Sequence, residues 1–144
     1  MVQSTKPFRA SVVRIIDFNE KDNKVIGTGS AFLVSRRGNR SLFLTCDHNF
    51  ARLKKGEVRV IRFLDGDRDY TIEKVIIKDK DRDLLLFSVK DVGDRRCVEF
   101  STEKVEQFDK VVVLGYSAPV LNVKNGTLDF ACVKALSIFP GKVL

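Results

Sequence analysis

The chain has 144 residues, 44% of them hydrophobic and 31% charged, with a net charge of +7. That is the length of about one domain, enough to bury a core, and the composition excludes a chain disordered throughout. Lys and Arg are interleaved with Asp and Glu, as in KDKDRD at Lys78 to Asp83. The densest basic cluster (Arg52, Lys54, Lys55, Arg59, Arg62) comes with no helix-turn-helix, finger or basic-aromatic stripe, so no nucleic-acid partner is expected.

Taken in chain order, the sequence reads as short strands broken by turn signals. Ser11 to Asp17, Lys24 to Ser35 and Ser41 to Cys46 come first, separated by Asp22–Asn23 and Arg37–Asn39. Glu57 to Leu64 begins with clean alternation and ends at Asp65–Gly66, a tight-turn dipeptide. Asp69 to Lys78 and Leu84 to Lys90 make six β segments by Lys90. A polar stretch, Asp91 to Gln107, reads as a connector. Then come Val111 to Tyr116, Leu121 to Lys124 and Thr127 to Val133, the last two flanking Asn125–Gly126, a type I′ hairpin signal. A short helical turn is expected from Asn49 to Leu53. The fold class expected is therefore all-β: a six-stranded barrel over residues 1–95, then a connector and the first strands of a second, incomplete barrel over 96–144. Barrel closure leaves few unpaired edges, whereas about three strands are too few to stand alone. Something must complete the second unit: the rest of a longer chain (a missing C-terminal half), a partner or second copy, or packing on the first unit.

Eleven Phe against two Tyr and no Trp favour core filling over a recognition face. The three cysteines, Cys46, Cys97 and Cys132, have no metal-type spacing, and a single histidine gives little from which to build a zinc site. Neither a metal nor another cofactor is expected. The odd cysteine count argues against a disulfide framework and for a reducing compartment. No apolar run nears the roughly 18 residues of a membrane span, and MVQSTKPFRASVV lacks the apolar stretch of a secretory signal. An intracellular setting, cytoplasm or nucleus, is expected.

The candidate chemistry lies in the one histidine, His48, at the end of an apolar run, and in Asp83, which directly precedes a second. A histidine titrating near neutrality can take a proton from a hydroxyl, and a carboxylate on its other ring nitrogen fixes the tautomer and stabilises the imidazolium. Asp81, of the same strand parity, competes with Asp83 for that role, and Asp79 is the outsider. Cys46, two residues before His48, is read as lying on the same strand and the same face.

These residues resemble the trypsin-like serine proteases of the HtrA/Deg type. Gly29-Ser30-Ala31-Phe32-Leu33-Val34 followed by Leu44-Thr45-Cys46-Asp47-His48 is similar to the G-S-G-F and L-T-x-x-H strands of that family. Asp81-Arg82-Asp83-Leu84-Leu85-Leu86 resembles its D-x-D-L-A-L-L element, and Val111 to Pro119 its V-x-A-I-G-x-P strand. The resemblance implies a chymotrypsin fold with His48 and Asp83 as catalytic residues. The family's G-x-S-G-G-P nucleophile loop has no counterpart. The nearest match, Ser117 in Gly115-Tyr116-Ser117-Ala118-Pro119, has Ala118 for a glycine and falls in the earlier strand. The expectation is the His/Asp-bearing portion of a trypsin-like serine endopeptidase acting on protein or peptide, inactive as this chain alone. The alternative is a non-catalytic protease-like module that binds protein or peptide.

Overall fold

The computed structural model describes residues 6–66 and 68–116, together with the backbone of three strand segments beyond them, Val123–Lys124, Thr127–Leu128 and Ser137–Lys142. Seven strands form one antiparallel sheet: β1 (Val12–Asn19), β2 (Val25–Arg37), β3 (Arg40–Thr45), β4 (Glu57–Phe63), β5 (Asp69–Thr71), β6 (Lys74–Asp79) and β7 (Leu84–Lys90). The spatial order is β5-β4-β1-β2-β3-β7-β6. The two edge strands, β5 and β6, are consecutive in the chain and joined only by Ile72 and Glu73, so the sheet curls until its edges meet across that link. Register breaks between Asp17 and Phe18, Leu33 and Ser35, and Val75 and Ile77 supply extra residues, which bend and twist a strand enough to coil the sheet.

The run from Asp69 to Lys78 was expected as one strand. It divides because Glu73 leaves β5 and donates its backbone N–H to Ser88 O at 2.8 Å on the far side of the seam. Alternation along β1, β2, β3, β4 and β7 sends Val13, Ile15, Leu33, Phe43, Ile61, Phe63, Leu85 and Phe87 inward, all with 2% exposure or less. Phe43 stacks on Phe87 at 5.4 Å and meets Phe63 edge-on at 6.1 Å. Each such ring contributes roughly 1.5–3 kcal/mol of burial, whereas Phe100 and Phe108 in the connector are exposed. Cys97 packs on this core as a small hydrophobe.

From Asp91 to Asp109 there is no strand, as expected of a connector. β8 (Lys110–Gly115) follows, and β9 (Val123–Lys124) pairs with β10 (Thr127–Leu128) in the register of a two-residue hairpin. Asn125–Gly126 themselves lie outside the described residues, as do Ser117 and Cys132. β11 (Ser137–Lys142) was not expected. It pairs antiparallel with β8, matching Pro140 with Val112. Proline lowers the strand signal of SIFPGK, yet an edge position tolerates its missing N–H, and β11 has β8 as its one described neighbour. The β8 end is tied to the first sheet: Tyr116 N–H donates to Ser30 Oγ at 2.7 Å, and the Arg14 guanidinium lies over the Tyr116 ring at 5.4 Å.

Candidate active site

His48 does not lie on β3. That strand ends at Thr45, and Asp47–Phe50 forms a single 3₁₀ turn, so the helical turn expected after the histidine instead contains it. Cys46, extended at φ −83° and ψ 140°, joins the strand to the turn. Three contacts fix this segment. Asn49 N–H donates to Cys46 O at 3.0 Å. The Asn49 amide donates to Thr45 Oγ1 at 3.0 Å, and that hydroxyl donates to Ser30 O at 2.8 Å. Phe50 packs against the barrel core, 4.9 Å from the Phe87 ring, with the Arg59 guanidinium over its ring at 4.6 Å.

Gly29 makes room for this arrangement. A Cβ there would stand 2.7–2.9 Å from the Asn49 side-chain atoms, closer than any side chain tolerates. Gly29 and Asn49 are thus positioning residues that the sequence reading did not single out. The signal was present in part, since Gly29 opens the GSAF strand.

Asp83 closes a turn begun at Asp79, whose carboxylate accepts the Arg82 N–H at 3.1 Å. Its φ of +56° lies in the left-handed region, which Asp and Asn enter more readily than most residues. The chain reverses there, and β7 begins at Leu84. Of the three acidic candidates it is Asp83 that meets His48. Asp83 Oδ1 accepts the His48 backbone N–H at 2.9 Å, and Oδ2 lies 2.6 Å from Nδ1. The Asp83 carbonyl also accepts the Asp47 N–H at 3.1 Å. Asp79 is occupied with Arg82, and Asp81 is exposed.

The His48 backbone N–H, and after it the imidazole, hold the Asp83 carboxyl below the ordinary carboxylate range. An ionised Asp83 can only accept, so in the neutral imidazole Nδ1 carries the proton and Nε2 keeps its lone pair. The His48 side chain is 69% exposed and Asp83 48%, so that lone pair is open to solvent. Among the described residues no serine hydroxyl is bonded to it. A mostly apolar groove of about 630 Å³, lined by Cys46 and Leu84 and reaching Val112 and Leu114 of β8, adjoins the pair. Another hollow of about 350 Å³ includes His48, Thr28 and Leu53.

Cys46 is half-buried and unpaired by any disulfide. A donor atom on each of Cys46, His48 and Asp83 lies within 4.8 Å of the other two. The shared strand face read from the sequence is not the cause of this proximity, because the turn at Asp47 intervenes.

A curled antiparallel barrel with His48 and Asp83 apposed at one end, and a second β unit beginning after it, defines a class. The chain belongs to the trypsin-like peptidase domain family, whose profile matches residues 29–138. Among solved structures it is similar to the active form of the Rv3671c protease from M. tuberculosis, with a TM-score of 0.63 and 21% identity over 96% of this chain and 49% of that one. It is also similar to the inactive form of the Rv3671c protease, with a TM-score of 0.60 and 21% identity over 94% and 53%. At that identity the likeness is one of fold. The chain spans about half the length of these proteins. No curated protein sequence matches it. No helix among the described residues is long and apolar enough to cross a membrane.

Proposed function

We propose that this chain carries the general-base half of a trypsin-like serine endopeptidase, completed by a nucleophilic serine outside these 144 residues. The observation that carries the reading is the two-point grip of Asp83 on His48, through the backbone N–H and Nδ1, which directs Nε2 of the neutral ring away from the carboxylate as the proton acceptor. In the reaction Nε2 takes the proton of the serine hydroxyl as that oxygen attacks the scissile carbonyl. The imidazolium is stabilised by Asp83, and the proton passes to the leaving amine. The donors for the oxyanion, which contribute about 10²–10³ in rate each, belong to the same later part of the fold as the serine. The substrate class is protein or peptide, and the chain divides near residue 95, within the strandless connector that follows β7.

A serine-directed fluorophosphonate probe tests this reading. Labelling is expected of a longer product containing this chain and a downstream G-x-S-G, abolished by His48→Ala there, and absent from the 144-residue chain. Labelling of this chain at Ser117 would overturn it. The second reading, a protease-like module that binds polypeptide without cutting it, is favoured by the missing G-x-S-G-G-P loop. It predicts that a cellular role survives His48→Ala.

A further inference from the structure

The thiol, imidazole and carboxylate that meet at the end of β3 form a donor set with a chemistry of its own. Sulfur, nitrogen and oxygen together suit a borderline-soft divalent ion such as Zn²⁺ rather than Mg²⁺ or Ca²⁺, which favour oxygen. With zinc bond lengths of about 2.3 Å to sulfur and 2.0–2.2 Å to nitrogen and oxygen, tetrahedral donors stand about 3.4–3.6 Å apart. The three donors already lie within 4.8 Å of one another, so small side-chain rotations suffice. Their backbones are anchored: Cys46 O accepts from Asn49 N, and Asp83 holds the N–H groups of Asp47 and His48. Among the described residues this is where three such donors gather. All three remain at least partly accessible, leaving the fourth position to water.

We propose that Cys46, His48 and Asp83 form a site for a thiophilic divalent cation, zinc foremost, that takes His48 out of proton transfer. Cys46 binds as thiolate, releasing its proton to solvent. The imidazole binds neutral through one ring nitrogen, and one Asp83 oxygen turns from the ring to the metal. A metal-held ring can neither move between Asp83 and a nucleophile nor lose its ligand while the ion stays. The inhibitory consequence rests on the general-base role proposed above; the binding does not.

The test is therefore made on this 144-residue chain, without any assay of hydrolysis. Zn²⁺ is titrated against a chromophoric chelator, and Co²⁺ reports its ligands by absorption. One ion per chain is expected, with a thiolate-to-cobalt charge-transfer band. The chain has a single histidine, so its ring proton resonances should shift on zinc addition. Cys46→Ser and Cys46→Ala should each weaken binding by more than the roughly 10–100-fold that loss of an outer-shell partner costs, and abolish the charge-transfer band. Cys97→Ser should leave both unchanged. Circular dichroism checks that each variant folds, and the paired Ser and Ala variants guard against one of them failing. Unchanged affinity in a folded Cys46 variant, or a cobalt spectrum without the thiolate band, would overturn the proposal. If binding holds while a longer, active product is indifferent to zinc, the general-base reading fails and the metal site stands.

Discussion

The paired strands β3 and β7 carry a carboxylate bound to a basic side chain at each end, and the two ends differ in what they leave free. At the Arg40–Lys90 end, Glu73 takes a two-point contact from Arg40, at 2.8 Å to Nε and 2.6 Å to Nη2. It also accepts the Ser88 hydroxyl at 2.7 Å and faces Lys90 at 3.4 Å. Glu73 is 19% exposed, and its cationic partners, Arg40 and Lys90, have no acceptor to offer. At the Thr45–Leu85 end, Asp83 makes a contact of the same two-point form, but to a ring with a second nitrogen. Saturating a carboxylate against guanidinium and ammonium makes a clamp for the barrel seam. Saturating one against an imidazole leaves a base on the opposite edge of that ring. The same motif ends in cations at one end and leaves a second ring nitrogen at the other, and the difference lies in the partner.

The sharpest way to break the comparison is Asp83→Asn. Asn tolerates the left-handed backbone and can still accept the His48 N–H through its Oδ1. Its amide nitrogen then faces Nδ1 as a donor, which forces the ring proton to Nε2 and removes the base. In a complete enzyme the loss should be about 10⁴-fold in kcat, as tautomer reversal costs in this chemistry, with His48→Ala at least as severe. The melting temperature should move little. In this chain alone, ¹⁵N shifts of the one histidine should report the tautomer reversal directly; a ring still protonated at Nδ1 in the variant would refute the argument. Gly29→Ala comes next. Its methyl group collides with the Asn49 side-chain amide, which must turn away and give up its hydrogen bond to Thr45 Oγ1, at about 0.5–1.5 kcal/mol for one lost hydrogen bond. Chemical denaturation should show that loss. The His48–Asp83 coupling should weaken with it, while Glu73 at the far end is untouched.

Much of this was legible in the sequence, and the boundary has a physical cause. His48 and Asp83 could be found because each abuts an apolar run whose alternation fixes a strand end. Asn125–Gly126 announced a hairpin because few dipeptides accept positive φ twice, and β9 and β10 pair in its register. The seam at Ile72–Glu73 was hidden, since nothing in YTIEKVII distinguishes a strand that continues from one that changes neighbours. β11 was hidden by Pro140, whose cost depends on whether the strand is an edge. The Cys46 thiol was placed beside His48 for the wrong reason, and its nearness to Asp83 depends on two turns that no periodicity encodes. Asn49 against Gly29 is likewise a contact between distant segments. In each case the missing information is which segments become neighbours.

The smallest effect expected is on the clamp, and its pH dependence separates the two ends. Arg40, followed by the Ser88 hydroxyl, holds the Glu73 carboxyl down at about 2, against an ordinary 4.5. A carboxyl depressed in the folded state binds fewer protons there than when unfolded. Its contribution is therefore fully present above the unfolded value, and it is lost as pH falls from about 4.5 towards about 2. Glu73→Gln keeps the shape and the Ser88 contact but removes the titration. The variant should be less stable than the parent at neutral pH, and the difference should shrink steadily between pH 4.5 and pH 2. Thermal melts across that window would show it. Solvent screens this partly exposed pair, so the neutral-pH difference should be modest and should fall with added salt. The His48 tautomer should be the same in both proteins, because the clamp contributes to closing the seam and not to the ring. A parent and variant whose stability difference stayed constant down to pH 2 would show that Arg40 and Glu73 are not paired as the structure has them. The claim that one end of the β3–β7 pair is purely structural would fall with it.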